Sequence, residues 1–399
     1  MPLFTQHGSA KRAAGSGVTG INWEKEISLD PEISRISAMT LPTPTEGLVV
    51  ALTGATGFLG LELIKRLLPS DKIKAVLAIA VRNSKKLAGV SSNPKLVVYS
   101  GDLSKPSLGL RDDDIKQIFG TAHVVIHNGA DVSFFKSYSK VRTTNFEATK
   151  IVLGMTLAHG HVRHLHYVST AGFTVMLDHD LYEESLHTLP PDESFREHPK
   201  GYFLSKWASE LHLERASAAT GARITIHRPS IIVGEDAPNL DVIANVLHYS
   251  TKMGAVPSMS AIDGFLQLVR VEDVADSIIA TILAGDDGVK KHAAAEDDEA
   301  KAGADQDSKT DGATAGLVRW YNLVGRNEDC VDVHQMDAYL SKRLDKHISV
   351  TPDAEWVAKA TAIGMPSEMA GYLNGLAMWY KYTGSRKWVF HRAIQGPRI

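Results

Sequence analysis

From residue 47 onward, short apolar runs of strand length alternate with stretches whose apolar positions recur at helical spacing. A parallel sheet covered by helices on both faces reads this way in sequence. "GLVVALTGATG" predicts a buried strand and its turn, "FLGLELIKRLL" a helix, "IKAVLAIAVR" a second strand and "KLVVYSGDL" a third. A fourth follows in "AHVVIHNGA", the segment from Val141 to His159 has helical spacing, and "VRHLHYVST" and "ARITIHRPS" predict the fifth and sixth strands. That count suits an α/β fold of the doubly wound, dinucleotide-binding kind. "RWYNLVG" reads as one more strand, and the remainder through Trp388 as helices and short loops.

Two regions break the alternation. Residues 1–44 read as a flexible leader and lead-in, and the opening "MPLFTQHGSAKRAAGSGVTG" lacks the apolar core of a secretory signal. Residues 286–316, rich in Ala, Asp, Gly and Lys, have almost no large apolar side chain. Burial there cannot offset the entropy of ordering, so a disordered acidic surface insertion is expected. Composition then limits the partners. With 399 residues, 44% of them apolar, the chain can bury one large core or two smaller ones. Its 43 basic and 46 acidic residues leave a net charge of -3, so no global field draws it to nucleic acid or an anionic membrane. The single cysteine, Cys330, cannot form an internal disulfide, and no apolar run approaches the ~20 residues that span a bilayer. The chain reads as soluble and cytoplasmic.

The strongest local signal is "VVALTGATGFLG", a strand that runs into Gly54, Gly57 and Gly60 at the start of a helix. Gly54 permits the tight bend, Gly57 lets the backbone approach a pyrophosphate, and Gly60 lets helix and strand pack closely. The helix N-terminus supplies N–H groups and a favourable dipole. Gly54, Thr56, Gly57, Phe58, Leu59 and Gly60 are therefore the expected cradle of a dinucleotide. The end of the second strand selects between cofactors, because an acid there binds a free ribose 2′-hydroxyl and an arginine a 2′-phosphate. Here "IAVRNSKK" places Arg82 at that end, with Lys85 and Lys86 following and no acid nearby. A guanidinium can grip a phosphate with two hydrogen bonds, so NADPH is the expected cofactor. A solvated basic loop is the alternative reading of the lysines. Asp102 and Leu103 in "SGDL" would face the adenine, and Asn128, Gly129 and Ala130 would lie beside the nicotinamide ribose.

In "HPKGYFLSKW", Tyr202 stands four residues before Lys206, a spacing that puts both on one helix face but is common by chance. Taken in order, the glycine turn, "GDL", "HNGA", "YVSTAG", this pair and "HRPSIIVGE" resemble an extended short-chain dehydrogenase/reductase. More narrowly, "TGATGFLG", the "VR" closing the second strand, "HNGADVSF" and "HRPSIIVGEDAPNLD" together resemble the thioester reductase domains that close fungal nonribosomal peptide synthetases, polyketide–peptide hybrids and carboxylic acid reductases. The resemblance runs from "INWEKEISL" at residue 21 to near Trp388, the insertion aside, and suggests a domain cut from a longer multienzyme. It implies an NADPH-binding Rossmann domain over 45–235. A smaller C-terminal α/β substrate domain, mainly 236–399 and interleaved with that core, would receive an acyl or peptidyl chain on a carrier protein's phosphopantetheine arm.

The resemblance also implies that Thr170, with Ser169 the alternative, acts with Tyr202 and Lys206 in catalysis, and that Pro229 and Ser230 turn beneath the nicotinamide. Hydride arriving at a thioester carbonyl builds negative charge on oxygen, to which a phenol and a hydroxyl can donate. Lys206 would hold the nicotinamide ribose and, as a cation, lower the pKa of Tyr202 from about 10. Collapse of the hemithioacetal would expel the thiol and leave an aldehyde, which some relatives reduce again to an alcohol.

Other motifs are open to competing readings. His159, His161, His164 and His166 span a helix end, a turn and a strand; their side chains are expected to diverge, and no metal site is expected. Asp131 is either a base near the substrate entrance or a satisfied loop carboxylate. "MAGYLNGLAMWYKYTG" either lines an acyl tunnel or packs a helical core. The chain has no G-x-S-x-G nucleophile elbow, which argues against hydrolytic release. Two rivals keep the fold: a redox-neutral Dieckmann cyclase that releases a tetramic acid, and a non-catalytic NADPH-binding docking module.

Overall fold

Side-chain alternation along β1 (Leu48–Thr53) sends Val50 and Leu52 into one apolar layer and Val49 and Ala51 into another. The first layer is closed by the helix Phe58–Leu67, whose Leu59, Leu63, Ile64 and Leu67 recur at helical spacing and are buried. Each such side chain contributes roughly 1.5–3 kcal/mol. The second layer is closed by Ile115, Ile118 and Phe119 of the helix Asp112–Phe119 and by Val152 and Leu153 of the helix Ala148–His159. Both strand faces are covered, which is why the strands read as nearly continuous apolar runs.

This computed structural model describes residues 21–37, 44–133, 136–160, 162, 164–187, 201–235, 237, 242–284, 318–383 and 388–396. The expected insertion at 286–316 and the leader at 1–20 lie outside the described residues. The central sheet has seven parallel strands. After β1 come β2 (Ile73–Val81), β3 (Leu96–Ser100), β4 (Val124–His127), β5 (His164–Val168) and β6 (Ile224–Pro229), and the seventh is Val318–Leu323. Across the sheet the order is Val318–Leu323, β6, β5, β4, β1, β2, β3. The direction of winding reverses between β1 and β4, and the carboxyl ends of those strands form the crevice where ligands of doubly wound sheets bind.

A second apolar core lies in the C-terminal part, where Trp356, Met336, Leu340 and Met369 pack against Leu266 and Leu268. The reading of 326–388 as helices and loops is corrected here. Cys330–Asp332 pairs antiparallel with Ile262–Arg270, Trp388–Phe390 pairs parallel with the same strand, and Ser349–Thr351 pairs with Ala255–Pro257. Three-residue strands are too short to display a period, so nothing in the pattern announced them. Ile231–Val233 also pairs with Ile262–Arg270, so the chain steps from the large sheet to the small one across Ser230.

The lead-in segment is not a uniformly flexible tail. Trp23 stacks edge-on against Tyr138 at 4.9 Å and Trp207 at 5.3 Å, and Ile27 is buried. Glu26 accepts from Tyr138 Oη at 2.7 Å and pairs with Arg142. The stretch predicted helical from Val141 is a helix from Tyr138 with a π-turn at Thr143–Glu147. Among the described residues, no helix is long and apolar enough to cross a membrane.

Candidate active site

Gly54 follows β1 at φ +69, and a Cβ there would lie 2.6 Å from the Cα of Gly129. The turns after β1 and β4 thus meet backbone to backbone, and the left-handed conformation favours glycine. A Cβ on Gly60 would lie 2.0 Å from the Gly54 carbonyl oxygen. Gly57 is the N-cap of the helix Phe58–Leu67 with no side-chain cap bond, which leaves the first N–H groups to an anion. Asn128 Nδ2 donates to Gly54 O at 3.3 Å, and Gly129 N donates to Thr53 Oγ1 at 2.9 Å. Gly60→Ala is expected to cost about 1–3 kcal/mol from overpacking and to weaken dinucleotide binding. Thermal melts and fluorescence titration check both effects.

At the other end of the crevice, Arg82 is exposed at the end of β2. Ser104 donates to Asp102 Oδ1 through its N–H and its hydroxyl, each at 2.8 Å. These bonds hold the Asp102 carboxyl below the usual range, and the charge of Arg82 acts in the same direction. Lys85 and Lys86 are exposed on the short 3-10 turn Ser84–Leu87.

Tyr202 and Lys206 sit in the first turns of the helix Gly201–Thr220. The chain enters this helix across a close contact, since a Cβ on Gly201 would lie 2.3 Å from the Ser137 carbonyl carbon. Lys206 is buried, and its Nζ donates to the Val168 carbonyl at 2.6 Å. That bond fastens the helix to the carboxyl end of β5, next to Ser169 and Thr170. The same Nζ lies 4.6 Å from the Tyr167 ring centroid and 5.9 Å from that of Tyr202. Burial pulls the pKa of the Lys206 ammonium down to about 7. Thr170 Oγ1 accepts from Gly172 N at 2.9 Å, which leaves its own proton to donate outward.

Two hydroxyls in this region, Ser169 Oγ and Ser230 Oγ, are buried with no hydrogen-bond partner among the described residues. Each costs about 1–3 kcal/mol in that condition, a cost that a polar ligand across the ends of β5 and β6 would remove. The glycine cradle, the uncapped helix N-terminus and these hydroxyls together fit a nicotinamide dinucleotide.

The sequence profile of an NAD-binding family described as male sterility protein matches residues 52–278, more than half of the chain. The chain belongs to the male sterility protein family. It is 48% identical to the hybrid PKS-NRPS synthetase ucsA of an Acremonium species, over 97% of this chain and 9% of ucsA. It is 34% identical to the hybrid synthetase himA of Aspergillus japonicus, over 91% of this chain and 9% of himA. The chain thus spans under a tenth of the length of these relatives. Among solved structures it is similar to the terminal R domain from the myxalamid PKS-NRPS biosynthetic pathway, with TM-score 0.65, 23% identity, and coverage of 93% of this chain and 89% of that one. The seven-stranded sheet and these likenesses bear out the Rossmann fold class and the resemblance to terminal reductase domains.

Within this family member, several structural residues escaped the sequence reading. Asn145 stands on the π-turn, where its Oδ1 accepts from Asp131 N at 2.7 Å and its Nδ2 donates to Asp131 O at 3.0 Å and Ser205 Oγ at 2.9 Å. A polar residue in an apolar-spaced helix was the available signal, and π-turns recur at functional sites. Arg228 and Glu210 form a fully buried ion pair at 2.6 Å. Arg228 also donates to the carbonyls of Tyr182 at 3.1 Å and Glu184 at 2.8 Å. Glu210 follows Tyr202 and Lys206 at successive four-residue steps, so one stripe of the helix carries all three.

Asp131 is a satisfied loop carboxylate here, accepting from Ser133 N at 3.1 Å and pairing with Lys136 at 2.5 Å. The histidines do not diverge as expected. His164 and His166, two apart on β5, share a face with ring centroids 4.2 Å apart, and His166 Nδ1 lies 3.0 Å from His227 Nε2. His159 Nδ1 meets the Met155 carbonyl, and His161 lies outside the described residues. Among the described residues, no group of three or more His, Cys, Asp or Glu is placed to hold a metal. The helix Ser367–Thr383 contains most of the Met- and aromatic-rich stretch, and its Met369 and Ala370 pack into the C-terminal core.

Proposed function

We propose that this chain catalyses NADPH-dependent reductive release of an acyl or peptidyl thioester carried on the phosphopantetheine arm of a carrier protein. Thioester, NADPH and a proton give aldehyde, free thiol and NADP+. The observation that carries this reading is the Lys206–Val168 bond, which gathers Lys206, Ser169, Thr170 and the Tyr202 helix at the end of β5. The likeness to hybrid synthetases supports a carrier partner within a larger multienzyme. In this reading residues 45–235 hold the cofactor and 236–399 mainly the acyl chain.

When bound, NADPH supplies the hydride. Gly54, Thr56, Gly57, Phe58, Leu59 and Gly60 would hold its pyrophosphate through backbone N–H groups, and Arg82 would hold its 2′-phosphate. Asp102 and Leu103 would border the adenine, while Asn128, Gly129, Ala130, Pro229 and Ser230 would border the nicotinamide end. The hydroxyls of Tyr202 and Thr170 donate to the carbonyl oxygen as its charge grows. Expulsion of the thiol from the hemithioacetal then leaves the aldehyde, and a second NADPH and proton, with the same donors, would reduce it to the alcohol. Mass spectrometry of the product with excess NADPH separates aldehyde, alcohol and a cyclised release product, and only the first two agree with the proposal.

Two further outcomes follow. Arg82→Ala is expected to weaken NADPH about tenfold or more while changing NADH little, because the lost bonds are charge-assisted ones to the 2′-phosphate. Titration with each dinucleotide checks this, and an equal effect on both would separate Arg82 from that phosphate. Lys206 links binding to pH. In the free protein it is protonated below about 7, whereas an ammonium donating to the ribose is favoured in the complex. Binding should therefore take up a proton above pH ~7, and affinity should fall as pH rises from there. Calorimetry in buffers of different ionisation enthalpy measures the uptake, which Lys206→Met should abolish.

A further inference from the structure

A line of buried polar groups runs from the glycine cradle to the catalytic helix, with His127 at its centre. His127 Nδ1 lies 2.8 Å from Thr53 Oγ1, and its Nε2 lies 3.1 Å from Thr149 Oγ1. Thr53, His127 and Thr149 are all at most 1% exposed. Their nearest partners set the direction of the hydrogens along this line, and Ser209 Oγ is a longer neighbour of Thr149 Oγ1 at 3.4 Å. Thr149 Oγ1 donates to the Asn145 carbonyl at 2.7 Å, which can only accept, so toward His127 this hydroxyl must accept. Thr53 Oγ1 receives the Gly129 N–H at 2.9 Å, so its own proton is the one directed at the ring. The opposite tautomer would set two acceptors face to face at Nε2 and strand the Thr53 proton in a dry interior, where an unmade hydrogen bond is costly. Burial pushes the His127 imidazole pKa down to about 3, so a doubly protonated ring does not arise near neutrality.

We infer that His127, held as the neutral Nε2–H tautomer, is a positioning residue that ties the cofactor cradle to the π-turn beneath the catalytic helix. The chain reads Gly129 N–H to Thr53, Thr53 O–H to His127 Nδ1, His127 Nε2–H to Thr149, and Thr149 O–H to Asn145 O. From there the Asn145 side chain reaches Ser205 Oγ at 2.9 Å, which donates to the Tyr202 carbonyl at 2.7 Å. Every hydrogen bond along it is donated in the same direction, with the covalent frame of Asn145 joining its carbonyl to its side chain, so the bonds polarise one another along the line. The inference rests on the proposed dinucleotide role of the cradle, and its consequence is that the seat of the nicotinamide end and the proton donor move as one unit.

Two measurements test it. Histidine-selective isotope labelling and NMR identify which ring nitrogen of His127 carries the proton, with a His127→Gln spectrum to assign the signal. Nε2–H is expected, and Nδ1–H or a ring charged at neutral pH overturns the chain whether or not the protein binds a dinucleotide. The second is a mutant cycle read by NADPH titration. Thr149→Val, at the Asn145 end of the chain, is expected to weaken NADPH about five- to tenfold where His127 is present, and to have no further effect in His127→Leu. A Thr149→Val effect below twofold, or an equal effect in both backgrounds, overturns the coupling. Failure of the wild-type chain to bind NADPH would instead refute the cofactor reading and leave the tautomer result to decide the geometry.

Discussion

Tyr202→Phe is expected to lower the rate of NADPH-dependent thioester reduction about 10²–10⁴-fold, the range for loss of a positioned proton donor. The ring itself should be little disturbed. Tyr202 packs among Phe173, Phe203 and Trp207, and a phenyl ring of the same shape fills that place. Stability should therefore stay within about 0.5 kcal/mol, and the NADPH dissociation constant should be nearly unchanged. The loss belongs in kcat rather than in cofactor affinity, because in the proposed mechanism the phenol acts on an oxygen that acquires charge only in the transition state. Single-turnover mixing of the NADPH complex with an acyl-pantetheine thioester separates these quantities. Undiminished reduction by the variant would remove Tyr202 from its assigned role and leave Thr170 or Ser169 as the donor.

Arg228→Met is expected to destabilise the fold by about 3–5 kcal/mol, since it leaves the Glu210 carboxylate buried without its partner. Both side chains are fully buried, and Arg228 also holds the carbonyls of Tyr182 and Glu184. The segment from Leu181 to Leu186 depends on such bonds, because Asn322 Nδ2 donates to Leu181 O at 3.0 Å and Trp207 Nε1 to Leu186 O at 3.2 Å. Removing both charges together, as Arg228→Met with Glu210→Leu, should recover a large part of the loss, because replacing a buried pair by apolar residues avoids the unpaired charge. Denaturant melts of the two single variants and the double variant measure the cycle. Additive losses would show that the two charges act independently.

The sheet was legible because burial on both faces makes each strand a near-continuous apolar run bounded by turn residues. "LVVALT", "IKAVLAIAV" and "ITIHRP" could be placed almost to the residue. The glycine cradle was legible for a different reason. Its constraint is steric and local, so a backbone contact such as that of Gly60 with the Gly54 carbonyl leaves its mark as glycine in the sequence. Contacts that depend on tertiary approach were not legible. Nothing in "HRPS" says that Arg228 meets Glu210, although both residues stand in plain view, and nothing in "NWEKE" says that Trp23 will stack on Trp207. The burial of Lys206 was not legible for a related reason. Spacing fixes its helix face but not its burial, and burial lowers its affinity for a proton.

The central claim is reduction, and it is tested most directly by following NADPH absorbance when the protein meets a simple acyl-pantetheine or acyl-CoA thioester. The account predicts loss of NADPH with release of one thiol for each aldehyde formed, or two NADPH consumed where the alcohol accumulates. Thioester consumed and a cyclised product formed with NADPH unchanged would contradict it.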